Sequence, residues 1–246
     1  MLIWLWVVVL GLIAGAGANW VADGLLAHRR VSGAPACSGC GAPRPALSWV
    51  ATVGYVAGRS RCPVCAGRLS WRHLVVELGM AATLAVIYQV RGLSPTFVLY
   101  AFYAGVFGVV LVTDTERRLI FNVVILPAIA VALAGSFLPG PPEPLSAAIG
   151  AAVGFGFFLV VALIKPGGMG AGDIKLAAFI GAAVGFPNIL TALIVGIFSG
   201  GFVSLILVLT RVKTMKSYIA YGPFLVFGGA LIAFAGPLLA RWFRAS

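Results

Sequence analysis

Gly167-Gly168-Met169-Gly170-Ala171-Gly172-Asp173-Ile174-Lys175 is a glycine-rich turn that ends in one carboxylate and stands between two apolar runs. An acidic side chain that close to hydrocarbon is costly and usually has a function. Glycines let the backbone take conformations other residues avoid, and let a second chain approach closely. The alternative reading is that Asp173 caps a helix starting at Ile174, since Asp is a favoured N-cap.

The flanks of this turn fix the class of protein. Of the 246 residues, 61% are hydrophobic and only 9% are charged, and the mean hydropathy is +1.09. Apolar runs recur, each about as long as a bilayer is thick. The chain therefore reads as a polytopic membrane protein. It reads as all-α, because lipid-exposed backbone must satisfy its own hydrogen bonds.

About eight transmembrane helices are expected, at 1–18, 73–90, 96–113, 119–138, 145–164, 174–186, 189–209 and 221–240, with both termini outside. The first is read as a transmembrane helix, because its positive charges follow the run, whereas a signal peptide carries them in front. The segment 174–186 covers only about 20 Å at 1.5 Å per residue, and a short helix beside a glycine turn leaves room for a water-accessible notch. The organisation is a first helix at 1–22, a cysteine-rich insert at 23–72 and a helical bundle at 73–246.

The net charge of +11 would suit nucleic acid, but its distribution argues for topology. Arg29, Arg30, Arg44, Arg59, Arg61, Arg68 and Arg72 fall in the insert. Arg117, Arg118, Lys165, Lys175, Arg211, Lys213 and Lys216 sit in short loops on the same face. Positive charge in short loops marks the cytosolic side, with attraction to anionic lipid added. Arg241 and Arg244 break the rule at the last helix.

The insert holds all four cysteines, as Cys37-Ser-Gly-Cys40 and Cys62-Pro-Val-Cys65. Each CxxC turn can offer two thiolates to one tetrahedral zinc, which would stabilise an insert with little core of its own. Disulfides and a redox pair are the alternatives, and a reducing cytosol disfavours disulfides. Just after the insert, Glu77 lies one turn inside the second helix. It reads as a snorkelling or paired carboxylate, with His73 available at i,i+4.

A second aspartate, Asp114, stands at the end of the third expected helix. Two crossings separate it from Asp173, so both carboxylates fall on the cytosolic side, and parity turns two isolated acids into a pair. Ser199 and Ser204 lie mid-helix with no base in view, which argues against a serine protease.

At this point the chain resembles a known family. Gly-Met-Gly-Ala-Gly-Asp173-Ile-Lys looks like the GxGDxK signature of type IV prepilin peptidases, a branch of the GxGD intramembrane aspartyl proteases. Asp114 with Arg117-Arg-Leu-Ile-Phe-Asn122 resembles the family's first aspartate and its Arg-x-Ile-Pro-Asn tail. Tyr221-Gly-Pro-Phe-Leu resembles the Phe-Gly-Pro-Phe-Leu that opens its last helix. The CxxC pairs, followed by Trp71-Arg-His-Leu-Val-Val-Glu77-Leu, resemble the zinc-binding insert of its bifunctional bacterial members. Phe121 stands where the family has proline, Ser60 where it commonly has glycine, and 41–61 lacks its Asn-Ile-Pro text.

The resemblance implies a peptidase of the bacterial cytoplasmic membrane, with its site facing the cytosol. Asp114 and Asp173 would be the catalytic pair. Gly170, Gly172 and Lys175 would belong to the substrate loop, and Glu116 would help recognise a basic leader. Cys37, Cys40, Cys62 and Cys65 would bind a structural zinc. Prepilins or pseudopilins would be the substrates, with membrane lipid as a further partner and no nucleic acid. A second activity, N-methylation of the new N-terminus using S-adenosylmethionine, is implied by the insert, and the departures in 41–61 count against it. A peptidase without methylation is one alternative. A transporter or proton channel is another, since both use buried acids and broken helices.

Overall fold

A computed structural model describes residues 2–27, 33–140, 142–165, 169–210 and 220–239. Gly167, Gly168, Arg29, Arg30, Arg211, Lys213, Lys216, Arg241 and Arg244 lie outside the described residues.

Nine α-helices and no strands are found among the described residues. They are α1 (Leu2–Leu26), α2 (Ala51–Val56), α3 (Trp71–Arg91), α4 (Pro95–Arg117), α5 (Asn122–Gly135), α6 (Pro144–Ile164), α7 (Ala171–Val184), α8 (Asn188–Leu209) and α9, which begins at Gly222. The last helix continues to Leu239 through a π-helical turn at Leu231–Ala235.

The eight expected segments are all helical, but only six are long and apolar enough to cross a membrane. The others, α5 and α7, have 14 residues each, about 21 Å at 1.5 Å per residue. The other difference is at the insert. Helix α1 runs on through Asp23, and α3 already begins at Trp71, so the cysteine-rich stretch between them is shorter than 23–72. Hydropathy missed this because the last turns of α1 include the polar Asn19 and Asp23.

Local chemistry sets the helix ends. Ser70 and Ser94 cap α3 and α4, their hydroxyls accepting from the Arg72 and Phe97 amides. Pro95 and Pro144 occupy first helical positions, where a missing N–H costs nothing.

Packing follows membrane rules. Phe198, Phe202 and Leu209 of α8 and Leu163 and Ile164 of α6 point outward and are exposed, as lipid-facing residues should be. Small residues let backbones meet inside. A Cβ on Gly11 or Gly15 of α1 would strike the α3 backbone at Ala81 or Glu77. One on Gly150 or Gly154 of α6 would strike α7 at Gly181 or Ala177.

Rings join α4, α7 and α9. Phe179 of α7 lies edge-on to Tyr103 (5.5 Å) and Phe107 (5.3 Å) of α4. Phe234 of α9 meets Phe107 (5.9 Å) and Tyr100 (6.3 Å).

Candidate functional site

The aromatic contacts set a register. Phe107 precedes Asp114 by seven residues and Phe179 follows Asp173 by six. Along helices rising 1.5 Å per residue, the aspartates stand roughly 10.5 and 9 Å from the same ring contact. Because α4 ends where α7 begins, the two carboxylates come to the same end of the bundle.

Asp114 lies in the last turn of α4. Its carbonyl accepts the Arg118 amide at 2.9 Å, and Arg118 ends the helix in the left-handed conformation, φ 56°. The residue is only 4% exposed, yet its Oδ2 has no hydrogen-bond partner among the described residues. A buried carboxylate oxygen left unpaired is costly, so this site is not arranged for stability alone.

Asp173 does not cap its helix. Helix α7 begins at Ala171 with Gly170 as N-cap, and Asp173 is its third residue, half-buried. Its Oδ2 accepts the Gly170 amide at 3.3 Å, the return half of a capping box. The glycines of the turn have separate uses. A Cβ on Gly172 would sit 2.8 Å from the Ile120 side chain, and one on Gly170 would sit 3.2 Å from the Asp173 carboxylate.

A third glycine, absent from the sequence-based site, completes the arrangement. A Cβ on Gly222, at the start of α9, would fall 2.6 Å from Asp114 Oδ2. The Tyr221-Gly-Pro motif was its only signal in the sequence. Tyr221 itself lies against Phe158 of α6, with ring centroids 5.9 Å apart.

Lys175 donates to Asn122 Oδ1 at 2.7 Å and so ties the starts of α7 and α5. Glu116, expected to meet a basic leader, is paired with Arg72 at 3.0 Å. Arg72 also pairs with Asp23 of α1, which receives His73 Nε2 at 2.9 Å.

The expected His73–Glu77 contact is absent, because each side chain has another partner. Glu77 is 1% exposed and accepts three bonds from the start of α2: the Ala51 amide (2.6 Å), the Thr52 amide (2.7 Å) and the Thr52 hydroxyl (2.8 Å). This buried carboxylate therefore anchors the insert to the bundle.

Within the insert the two CxxC turns are built alike. The Cys37 amide donates to the Ala42 carbonyl and the Gly41 amide to that of Cys37. The Cys62 amide donates to Gly67 and the Ala66 amide to Cys62. Residues Gly41 and Ala66, each following the second cysteine of a pair, have φ of 73° and 56°.

The turns face each other. Cys37 and Cys65 Sγ are 3.6 Å apart, as are Cys40 and Cys62 Sγ, and all four sulfurs lie within 4.8 Å of one another. A disulfide requires about 2.05 Å, so all four are free thiols. A tetrahedral zinc with Zn–S bonds of about 2.3 Å holds its sulfurs roughly 3.8 Å apart, close to the spacing seen.

The protonation pattern agrees. Backbone amides of Cys40 and Gly39 pull the Cys37 thiol down to about 6. The Cys65 and Val64 amides lower Cys62. Cys65 gains from the Gly67 amide but is pushed up to about 12 by the thiols of Cys40 and Cys37. Two thiols are thus lowered and a third raised by their neighbours, the mutual influence of sulfurs packed closely enough for one divalent cation.

The chain is similar to known proteins over most of its length. The profile of the Type IV leader peptidase family matches residues 101–205, and that of the Bacterial Peptidase A24 N-terminal domain matches residues 9–90. Three proteins, each named Prepilin leader peptidase/N-methyltransferase, are similar along most of their length. The one from Pseudomonas putida is 29% identical over 200 residues, covering 78% of this chain and 69% of the relative. That from Aeromonas hydrophila is 28% identical over 214 residues, covering 84% and 73%. That from Bacillus subtilis (strain 168) is 24% identical over 189 residues, covering 77% and 76%. No solved structure matches the chain.

Proposed function

The chain belongs to the type IV leader peptidase family and is a multi-pass membrane protein, and we propose that it cleaves prepilin-type leaders by an aspartyl mechanism with Asp114 and Asp173 as its catalytic pair. What supports this reading is the arrival of both carboxylates at one bundle end from helices that run in opposite directions, one with an oxygen left unpaired.

Two carboxylates at such a site share one proton, because close like charges resist double ionisation. The ionised member takes a proton from a water, which attacks the scissile carbonyl. The protonated member donates to the carbonyl oxygen, giving a tetrahedral intermediate. Its collapse breaks the C–N bond: the departing amine takes a proton from the carboxyl that received the water's, and one hydroxyl of the intermediate returns its proton to the other carboxylate as the new carboxyl forms. No acyl-enzyme forms. Gly170, Gly172 and Gly222 keep side chains away from the carboxylates, and Lys175 with Asn122 steadies the start of α7.

The substrate is a short basic leader followed by an apolar helix. The site lies at the bundle end that carries the cysteine-rich insert, and the reading places that end at the cytosol, where the leader stays. Cys37, Cys40, Cys62 and Cys65 hold one structural zinc, which supplies no chemistry to the cleavage. N-methylation of the new N-terminus follows, with S-adenosylmethionine as the methyl donor; the N-methyltransferase in the relatives' names supports the methyl transfer. Cleavage exposes an α-amine with a pKa near 8, partly neutral and nucleophilic at pH 7.

Asp114→Asn and Asp173→Asn, each in the intact chain in lipid, should slow prepilin cleavage about 10³-fold, within the range for loss of general acid–base catalysis. Zinc content should not change. Cleavage at more than a tenth of the parent rate by either variant would overturn the assignment. Mass spectrometry of the cleaved product with S-adenosylmethionine present tests the methyl transfer.

A further inference from the structure

Asp114 occupies the final turn of α4, where a helix has few carbonyl partners left and frays most readily. Its aim needs an external hold, and one is present two residues away. Glu116 Oε1 lies 3.0 Å from Arg72 Nη1, while Arg72 Nη2 hydrogen-bonds Asp23. One guanidinium thus bridges the end of α1, the start of α3 and the end of α4. At 100° per residue, Glu116 projects about 200° from Asp114 around the helix. The last turn is therefore held on the Glu116 side by Arg72, and on the Asp114 side it is closed by Gly222, where a Cβ would strike the carboxylate.

Arg72 Nη2 hydrogen-bonds Asp23, whereas Nη1 meets Glu116 as an ion pair without a hydrogen bond. The Arg72 side chain is 18% exposed, against 35% for Asp23 and 43% for Glu116. Its neighbour His73 is bound to Asp23 and has its carbonyl bonded by the buried Asn19 at 3.1 Å. A planar, always charged guanidinium suits this task, since its fork can serve two carboxylates at once.

We propose that Arg72 is a positioning residue for the proteolytic pair: through Glu116 it fixes the last turn of α4 and hence the direction of Asp114. The inference rests on Asp114 and Asp173 being that pair. As an ion pair at a surface, Arg72–Glu116 contributes little to stability. As a hold on a catalytic carboxylate it matters more, because misplacement by about 1 Å can cost 10²-fold in rate.

The test uses the full chain in nanodiscs with a prepilin substrate. Glu116→Gln keeps the shape and removes the charge. It should lower kcat about tenfold and leave KM within twofold, the zinc content unchanged and the unfolding midpoint within about 2 °C. Arg72→Gln should lower kcat at least as much. The double variant should be no slower than Arg72→Gln alone, because both substitutions remove one interaction.

A kcat for Glu116→Gln within twofold of the parent would overturn the proposal. So would a higher KM at unchanged kcat, which would mean that Glu116 meets the substrate directly. A double variant whose loss is the product of the single losses would also overturn it. Asp114→Asn in the same preparation separates the two readings. Full cleavage by that variant removes the aspartate pair, whereas its inactivity beside an active Glu116→Gln removes only the role of Arg72.

Discussion

The cysteine-rich insert and the aspartate site lie at the same end of the molecule and are held together by opposite means. In the insert, order is local. Each CxxC turn closes on amide–carbonyl bonds within six residues, and four sulfurs converge where a metal fits. Little of it is buried beyond Ser48, Ala51 and Leu69. The aspartate site has almost no local order. Asp114 and Asp173 stand 59 residues apart and come to one end of the bundle because Tyr103 and Phe107 of α4 pack against Phe179 of α7. A region with little core depends on cross-linking chemistry, and a region inside a bundle depends on the register of its helices.

Removing the metal tests this difference most severely. With zinc chelated under reducing conditions, amides of residues 33–70 should lose their protection against hydrogen exchange. Those of α4, α7 and α9 should keep theirs. Equal loss in both regions would mean that the bundle also depends on the metal.

The next effect is in the bundle. Gly222→Ala places a methyl where the Asp114 carboxylate sits, 2.6 Å from Oδ2. Moving that carboxylate by about 1 Å should slow cleavage about 100-fold with no change in zinc content. Cleavage by the Gly222→Ala variant at the parent rate would show that the carboxylate has room to spare.

The smallest effect is within the insert. Ala66 holds φ 56° where its counterpart in the other turn is Gly41. A left-handed conformation is unfavourable for a residue with a Cβ by roughly 1–2 kcal/mol, partly offset by the chain freedom a glycine adds. Ala66→Gly should therefore tighten zinc binding by no more than about tenfold, as read by chelator competition, and leave cleavage unchanged. Weaker binding would show that Ala66 contributes a contact worth more than its strain.

How far the sequence could be read followed the same division. The CxxC spacing pointed to the metal centre, because its ligands lie close in the chain and their spacing is the chemistry. Hydropathy located all eight helices and showed that α7 is short, but it ended α1 too early and drew α5 long enough to cross, where the helix has only 14 residues. Asp23 and Asn19 looked like residues beyond a helix end, and both are in α1 because Arg72, His73 and the His73 carbonyl bind their side chains. The partners of Glu77 could not be read at all. Two of the three are backbone amides of α2, which carry no residue-type signal, and the third is the Thr52 hydroxyl.

By itself the sequence determined that this is a helical membrane protein with two paired CxxC turns, which follow from composition and spacing. The parity argument counted α5 as a crossing, and α5 has only 14 residues, so it is the packing of α4 against α7 that brings Asp114 and Asp173 to one end. Only the tertiary structure decided which groups surround the aspartates. Gly222 at Asp114, Ile120 at Gly172, Asn122 at Lys175 and Arg72 between Asp23 and Glu116 are contacts between helices. Such contacts depend on rotation and axial register, which side-chain packing sets across the whole bundle and no local pattern encodes.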